Sequence, residues 1–440
     1  NGEVLGDIQI RDLEYGNSTG RYNIGDISVI SSSGREQENY EASLKSEFME
    51  ATYWGSHFID KFISRVADEL IYKHIPNLKS QENNAEASKA EDTGLNEGSY
   101  RFRVKFFDTK AITQLVLPGL FISPGSALSV DISKQGRLDL KLTSENAGYL
   151  SNIGNKISLI STSEKQNVKA DIKISKLRAG GIEFDDFTAE ATGKSNIIDL
   201  VVKFQNRTKL RNSLDFSSLI KIGKEERGGG TIFRIAIKPS TLYFNDYKWS
   251  LDNSAIELSD SLYTFERFRA HNNSQLLEIN GRISPYEADS LTVSMKSFDI
   301  SPLNYFMGNA PWVEGLFTGK ATLTALYSEP KIIANLSGAE VKVNNADVGS
   351  LELYSEWDNP AQQFNLMARS TLEGSVPLYA TGILSPSRNY LDISANLDRL
   401  SVKYFEPFLS DIISESSGTL SGLLRLNGKM DKLVLSSSRG

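Results

Sequence analysis

Cysteine is absent from all 440 residues. That excludes disulfides, thiol nucleophiles and cysteine-ligated zinc, and it suits an oxidising compartment where stray thiols are a hazard. Histidine is scarce: His57, His74 and His271 lack metal-ligand spacing and read as surface or helix-end residues. No apolar run reaches the ~18 residues of a membrane-spanning helix. There is no signal peptide and no initiator Met, and the chain stops at "LSSSRG". A piece of a longer protein is expected, with any membrane anchor outside it. No charge of one sign dominates, since 48 basic and 55 acidic residues leave −7. Without a Lys/Arg cluster and interleaved aromatics, a nucleic-acid footprint is missing.

Catalytic constellations are missing as well. There is no G-x-S-x-G elbow, and Gly228, Gly229 and Gly230 lack the Lys-Ser/Thr of a phosphate loop, so they read as a flexible tip. Asp185 with Asp186, and Glu225 with Glu226, have neither a partner base nor a Gly-anchored calcium loop and read as solvated turns. Trp54, Trp249, Trp312 and Trp357 would suit a carbohydrate cleft, but core and sheet-edge packing accounts for them. Sequons at Asn17, Asn206, Asn272 and Asn335 would matter only in a eukaryotic secretory pathway. The chain reads as a non-enzyme with no cofactor and no metal.

What is present is a strand pattern. A hydrophobic content of 40% against 23% charged residues describes a soluble, folding sequence. Phe102, Val104 and Phe106 alternate with Arg101, Arg103 and Lys105. The same period of two runs through Leu128, Val130 and Ile132, through Leu138, Leu140 and Leu142, and through Val168, Ala170, Ile172 and Ile174. It returns at Leu291, Val293 and Met295, and at Leu391, Ile393, Ala395 and Leu397. Each set reads as a strand with one apolar and one wet face, and such clean alternation predicts antiparallel sheet.

Helix is sparse. Phe58, Phe62, Val66 and Leu70 recur at helical spacing and predict an amphipathic helix over 57–74, closed by Pro76. Its mixed polar face, with Asp60, Asp68 and Glu69 against Lys61, Arg65 and Lys73, argues that it plugs or lids a stretch of sheet rather than lying on a membrane. Shorter helical patterns occupy 109–117 and 404–413, and the polar stretch 79–99 reads as a mobile loop. Internal similarity pairs "GRISP" at Gly281 with "GILSP" at Gly382, and "LTVS" at Leu291 with "LDIS" at Leu391. "GLFTG" at Gly315 likewise pairs with "GTLSG" at Gly418, giving a repeat of about 100 residues. The expected organisation is strands and helix (57–75) over 1–78, a polar loop at 79–100, a β-repeat region at 101–280, a unit at 281–381 and the start of another at 382–440.

A sheet with one apolar face must cover it with helices, with another sheet or with something that is not the protein. Helices are too few here, so the choice lies between a closed sandwich and a curved array with an open lining. The repeat favours the array, because each unit then contacts mainly its neighbours. The expected fold class is therefore mostly β: an elongated, curved antiparallel β-sheet array with an open apolar groove, built from ~100-residue repeats, with one amphipathic helix and a few short ones. Its candidate lining is Leu128, Val130, Ile132, Leu138, Leu140, Leu142, Val168, Ala170, Ile172, Leu291, Val293, Met295, Leu391, Ile393 and Leu397. An acyl chain suits such a lining, since bilayer and groove are both hydrocarbon-like and exchange between them is nearly neutral.

Several ordered segments resemble the TamB family of translocation and assembly proteins. They are "LKSEFMEATYWGSHF" (44–58), "LVLPGLFISPGSAL" (115–128), "IKPSTLYFNDYKWSLDNSAIEL" (237–258), "NGRISPYEADSLTVSMKSFDISPL" (280–303) and "ANLDRLSVKYFEPFLSDIISESSGTLSGLLRLNGKMDKL" (395–433). The resemblance implies a periplasmic protein anchored in the inner membrane, a concave β-taco-like groove for phospholipid transfer, and support of outer-membrane protein assembly. It also implies a TamA-like or BamA-like outer-membrane barrel as partner, contacted outside these residues. The competing expectation is a secreted or surface β-repeat adhesin or carbohydrate-binding protein.

Overall fold

The computed structural model describes residues 5–17, 20–33, 39–79, 98–179, 182–206, 211–225, 230–244, 246–301, 304, 312–328, 331–358, 360–402, 417–429 and 432–438. The expected loop at 79–99, the glycine-rich tip at 223–230 and the helical pattern at 404–413 fall wholly or in large part outside them. Among the described residues the fold is mostly β, with 28 strands and few helices, and the strands pair antiparallel. The alternating patterns lie where they should: Tyr100–Phe106, Ala127–Ile132, Leu138–Tyr149, Val168–Ala179, Ser290–Asp299 and Tyr390–Ser401 are all strands.

Two compact units are present, Asn1–Lys248 and Trp249–Gly440. In the first, strands pair with their neighbours in sequence from Gly6–Asn17 to Asn212–Lys224. Tyr100–Phe106 pairs directly with Ala127–Ile132, while the short Leu120–Ile122 pairs with Leu138–Tyr149. In the second, successive hairpins run from Tyr263–His271 to Lys432–Ser438. The segment expected as one helix over 57–74 is shorter and mixed. Its α-helix, α1, is Ile59–Ala67. A π turn, Asp68–Tyr72, follows, with Lys73 N–H on the Asp68 carbonyl at 2.9 Å, and Pro76 opens a 3-10 turn rather than closing a helix. The wider turn carries Glu69 together with Leu70 onto the buried side. A second helix, α2, is Lys110–Val116, within the expected 109–117.

One local device recurs along the strands. At Lys296 and Ser297 two residues oppose one, Thr318; Ser297 takes φ +44° and its N–H donates to Thr318 Oγ1 at 2.9 Å. Gly319, beside that threonine, has φ +140°, and a Cβ there would sit 2.1 Å from the Asn335 carbonyl oxygen, so only glycine fits. The same bulge forms at Asp398 and Arg399, where Arg399 N–H donates to Ser421 Oγ at 2.8 Å and Gly422 stands next to it. "GLFTG" and "GTLSG" are thus the glycine-flanked strand starts that face these bulges. Asn280 caps the Arg267 N–H and Asp26 caps the Asp12 N–H in like manner. Each bulge bends its strand and adds twist, which keeps a many-stranded sheet from lying flat. Asp185 and Asp186, expected in a turn, lie instead in the strand Ile182–Lys194 at such an irregularity. Asp186, at φ +49°, accepts from Gln205 Nε2.

Candidate functional site: an apolar sheet face in each unit

Residues directly opposite in an antiparallel pair share a face, so the register shows which side chains stand together. In the first unit, Leu128 faces Leu142, which faces Leu159, which faces Ile172. Parallel to that row run Val130, Leu140, Ser161 and Ala170, and then Ile132, Leu138, Ser163 and Val168. All nine candidates of this unit therefore form one block on one face. The Leu128 row begins at Ile8 and continues past Ile172 through Ala189 and Val202 to Phe216.

Part of this block is already covered by the chain. Phe62 on α1 packs with Tyr53, Tyr100, Val130, Ile132 and Leu138, and Ile59, Val66 and Leu70 join it. Leu138 is 0% exposed, so here the lining is core. The segment after α1 is fastened by polar contacts. Buried Glu69 pairs with Arg65 at 2.7 Å and with Lys73 at 2.6 Å, and Lys73 Nζ also donates to the Gly136 carbonyl at 3.2 Å. Ser163 Oγ donates to the Glu69 carbonyl at 2.5 Å, and His74 Nε2 lies 2.7 Å from the same Oγ. Since that hydroxyl's proton is used, Nε2 of neutral His74 is the donor. Burial first, then the Lys73 ammonium, pushes the His74 imidazole below its ordinary pKa. Asn77 closes the fastening, donating from Nδ2 to the Ile222 carbonyl at 2.8 Å. Leu142, Val168, Ala170 and Ile172 stay half-buried.

In the second unit Val293 faces Ala321, which faces Ala334; the row continues through Ser355, Leu366 and Gly382 to Ile393. Val293 and Ile393, a repeat apart in sequence, thus share a face and a row. The neighbouring row runs from Met295 through Gly319, Leu336, Leu353, Ala368 and Ala380 to Ala395. Leu397 shares the next row with Phe298, Phe317, Leu351 and Leu378. On the opposite flank Leu291 faces Leu323, and Leu391 faces Leu384. The outer rows are bulky; the two middle rows are rich in Ala, Gly and Ser. That makes a trough about two side-chain rows wide, roughly 7 Å per row along the strand. Its residues are mostly half-buried, and among the described residues no helix of this unit lies over it. The reverse face is polar: Ser294, Lys320, Asn335, Tyr354 and Arg425 share one row.

Other groups singled out in the sequence are absorbed by local structure. His57 Nδ1 lies 2.7 Å from the Tyr100 hydroxyl, and His271 Nε2 lies 3.1 Å from Asp252 Oδ1. Trp249 meets Phe298 edge-on, Trp357 meets Phe364 likewise, and Trp312 Nε1 donates to Glu314. Sequence periodicity missed Gly136, Ser163 and Asn196, whose Oδ1 accepts from the Asn77 N–H at 2.9 Å, because a residue that receives a distant segment carries no periodic signal of its own. No protein-family model matches the chain, and no curated protein matches it significantly.

Proposed function

We propose that this chain is a scaffold that offers its apolar sheet face as a groove for acyl-chain lipid. In the setting the sequence resemblance implies, it carries phospholipid between inner and outer membrane in a periplasmic, TamB-like assembly module whose barrel partner binds elsewhere. The observation that carries the reading is the trough of the second unit, where Ala, Gly and Ser alternate with aliphatic side chains along the floor and Leu and Phe line the flanks. The floor rows cross seven strands and stay half-buried, while Phe298, Phe317 and Leu397 on one flank are buried; a continuous apolar strip of that kind is one that proteins cover or use. A linear alkyl chain fits it better than a sugar, which needs the hydrogen-bonding groups that stand on the reverse face. Native mass spectrometry with lipid extraction tests the idea. Co-purified phospholipid, displaced by added fatty acid, is expected; a chain that emerges lipid-free and takes up no added phospholipid or fatty acid would sink it.

A further inference from the structure

The first unit carries an apolar end of its own, where α2 and Leu120–Ile122 meet the Tyr149–Asn152 turn. Residues 115–122 and 147–155 contain no charged side chain, although 23% of the whole chain is charged. The fold joins the two stretches: Leu120 pairs with Tyr149, Leu150 N–H donates to the Gly119 carbonyl at 2.9 Å, and Leu117 N–H closes α2 on Thr113. The side chains nevertheless face water. Val116 is 73% exposed and Leu150 68%; Leu115 and Leu117 are exposed beside Val116, Phe121 and Ile153 are exposed on one face across Gly148, and Tyr149 is exposed on the other, so the end is apolar on both faces. An ordinary hairpin turn carries Gly, Asn, Asp or Ser where Leu150 stands, between the paired Tyr149 and Asn152.

We infer that this end inserts into the interfacial zone of a lipid bilayer. Seven side chains fall far short of the roughly 20–30 residues per side of a stable protein interface. They match an interfacial anchor, in which a few aliphatic side chains enter the acyl boundary and Tyr and Phe sit at headgroup level. Flanking charge nearly cancels: Asp108 stands beside Lys110, Glu145 and Lys156 lie between the pairs Ser144–Ile157 and Asn146–Asn155, and Arg178 and Lys176, opposite Ile153 and Asn155, share Glu183 at 2.7 and 3.1 Å. Apolar burial therefore drives the contact, and anionic lipid adds little.

Flotation of the 440-residue chain with vesicles of pure phosphatidylcholine tests this inference. Binding of similar strength at about 0.1 M and about 1 M salt is expected, because screening removes only charge-driven contacts. Val116→Asp combined with Leu150→Asp should lower vesicle binding at least ~10-fold while melting like the parent, since both sites are exposed. Its lipid load in a native mass spectrum should stay at the parental level, which separates this surface from the trough. The inference falls if the parent does not float, or if salt or a requirement for anionic lipid governs flotation. It falls equally if the double variant floats like the parent, or if sedimentation shows that the same side chains hold a second copy.

Discussion

At the scale of single residues, His74 shows how one buried side chain ties stability to pH. Its folded pKa lies below the ordinary value because burial penalises the cation and Lys73 repels it. A base with a depressed folded pKa stabilises the fold fully above the unfolded value of about 6.5 and loses that contribution as pH falls toward the folded one. His57 is depressed for the same first reason, burial, with Arg65 and Lys61 adding to it. The melting temperature should therefore fall as pH drops below ~6.5. His74→Gln keeps a donor near Ser163 and removes one titration, so its melting temperature, followed by circular dichroism over the same range, should fall less than the parent's. An equal fall in both would refute the role assigned to this imidazole.

Among the elements, α1 is the one whose sequence pattern and packing can be separated by neighbouring substitutions. Phe62 is 5% exposed and Ile63 is 72% exposed, although both are large and apolar. Phe62→Ala removes the ring that fills the space between Tyr53, Tyr100 and Leu138, and should cost about 3–5 kcal/mol. Ile63→Ser should change stability by no more than about 0.5 kcal/mol. Urea unfolding of the two variants measures both, and similar losses would mean that the helix is not docked as described. The amphipathic stripe was legible from Phe58 to Leu70. Its break into an α-helix and a π turn was not, because Glu69 turns inward only when Arg65, Lys73 and the space above Gly136 receive it.

For the molecule as a whole, the question is whether the apolar faces stay accessible. Val293→Asp and Ile393→Asp place carboxylates in the same row of the second unit. In an open trough, water reaches them, so the variants should fold, melt within a few degrees of the parent and carry less lipid. In a sealed core an unpaired carboxylate costs several kcal/mol, a large share of total stability. Thermal melts together with native mass spectra decide the matter. Strong destabilisation points to a closed sandwich, and parental stability with an unchanged lipid load removes the groove from this unit.

Strand positions, their antiparallel pairing and the side of each strand that is apolar were determined by the sequence itself, because period two is a local property that survives without knowledge of partners. That Leu128, Leu142 and Ile172 form one row, and Val293 and Ile393 another, depended on register. Hairpin lengths and capped bulges set that register together. Only the tertiary structure decided that α1 would cover Val130, Ile132 and Leu138 while the trough of the second unit keeps its small-residue floor. Alternation makes a face apolar, but what lies on that face depends on contacts between residues far apart in the chain, such as Glu69 with Ser163 and Asn77 with Ile222.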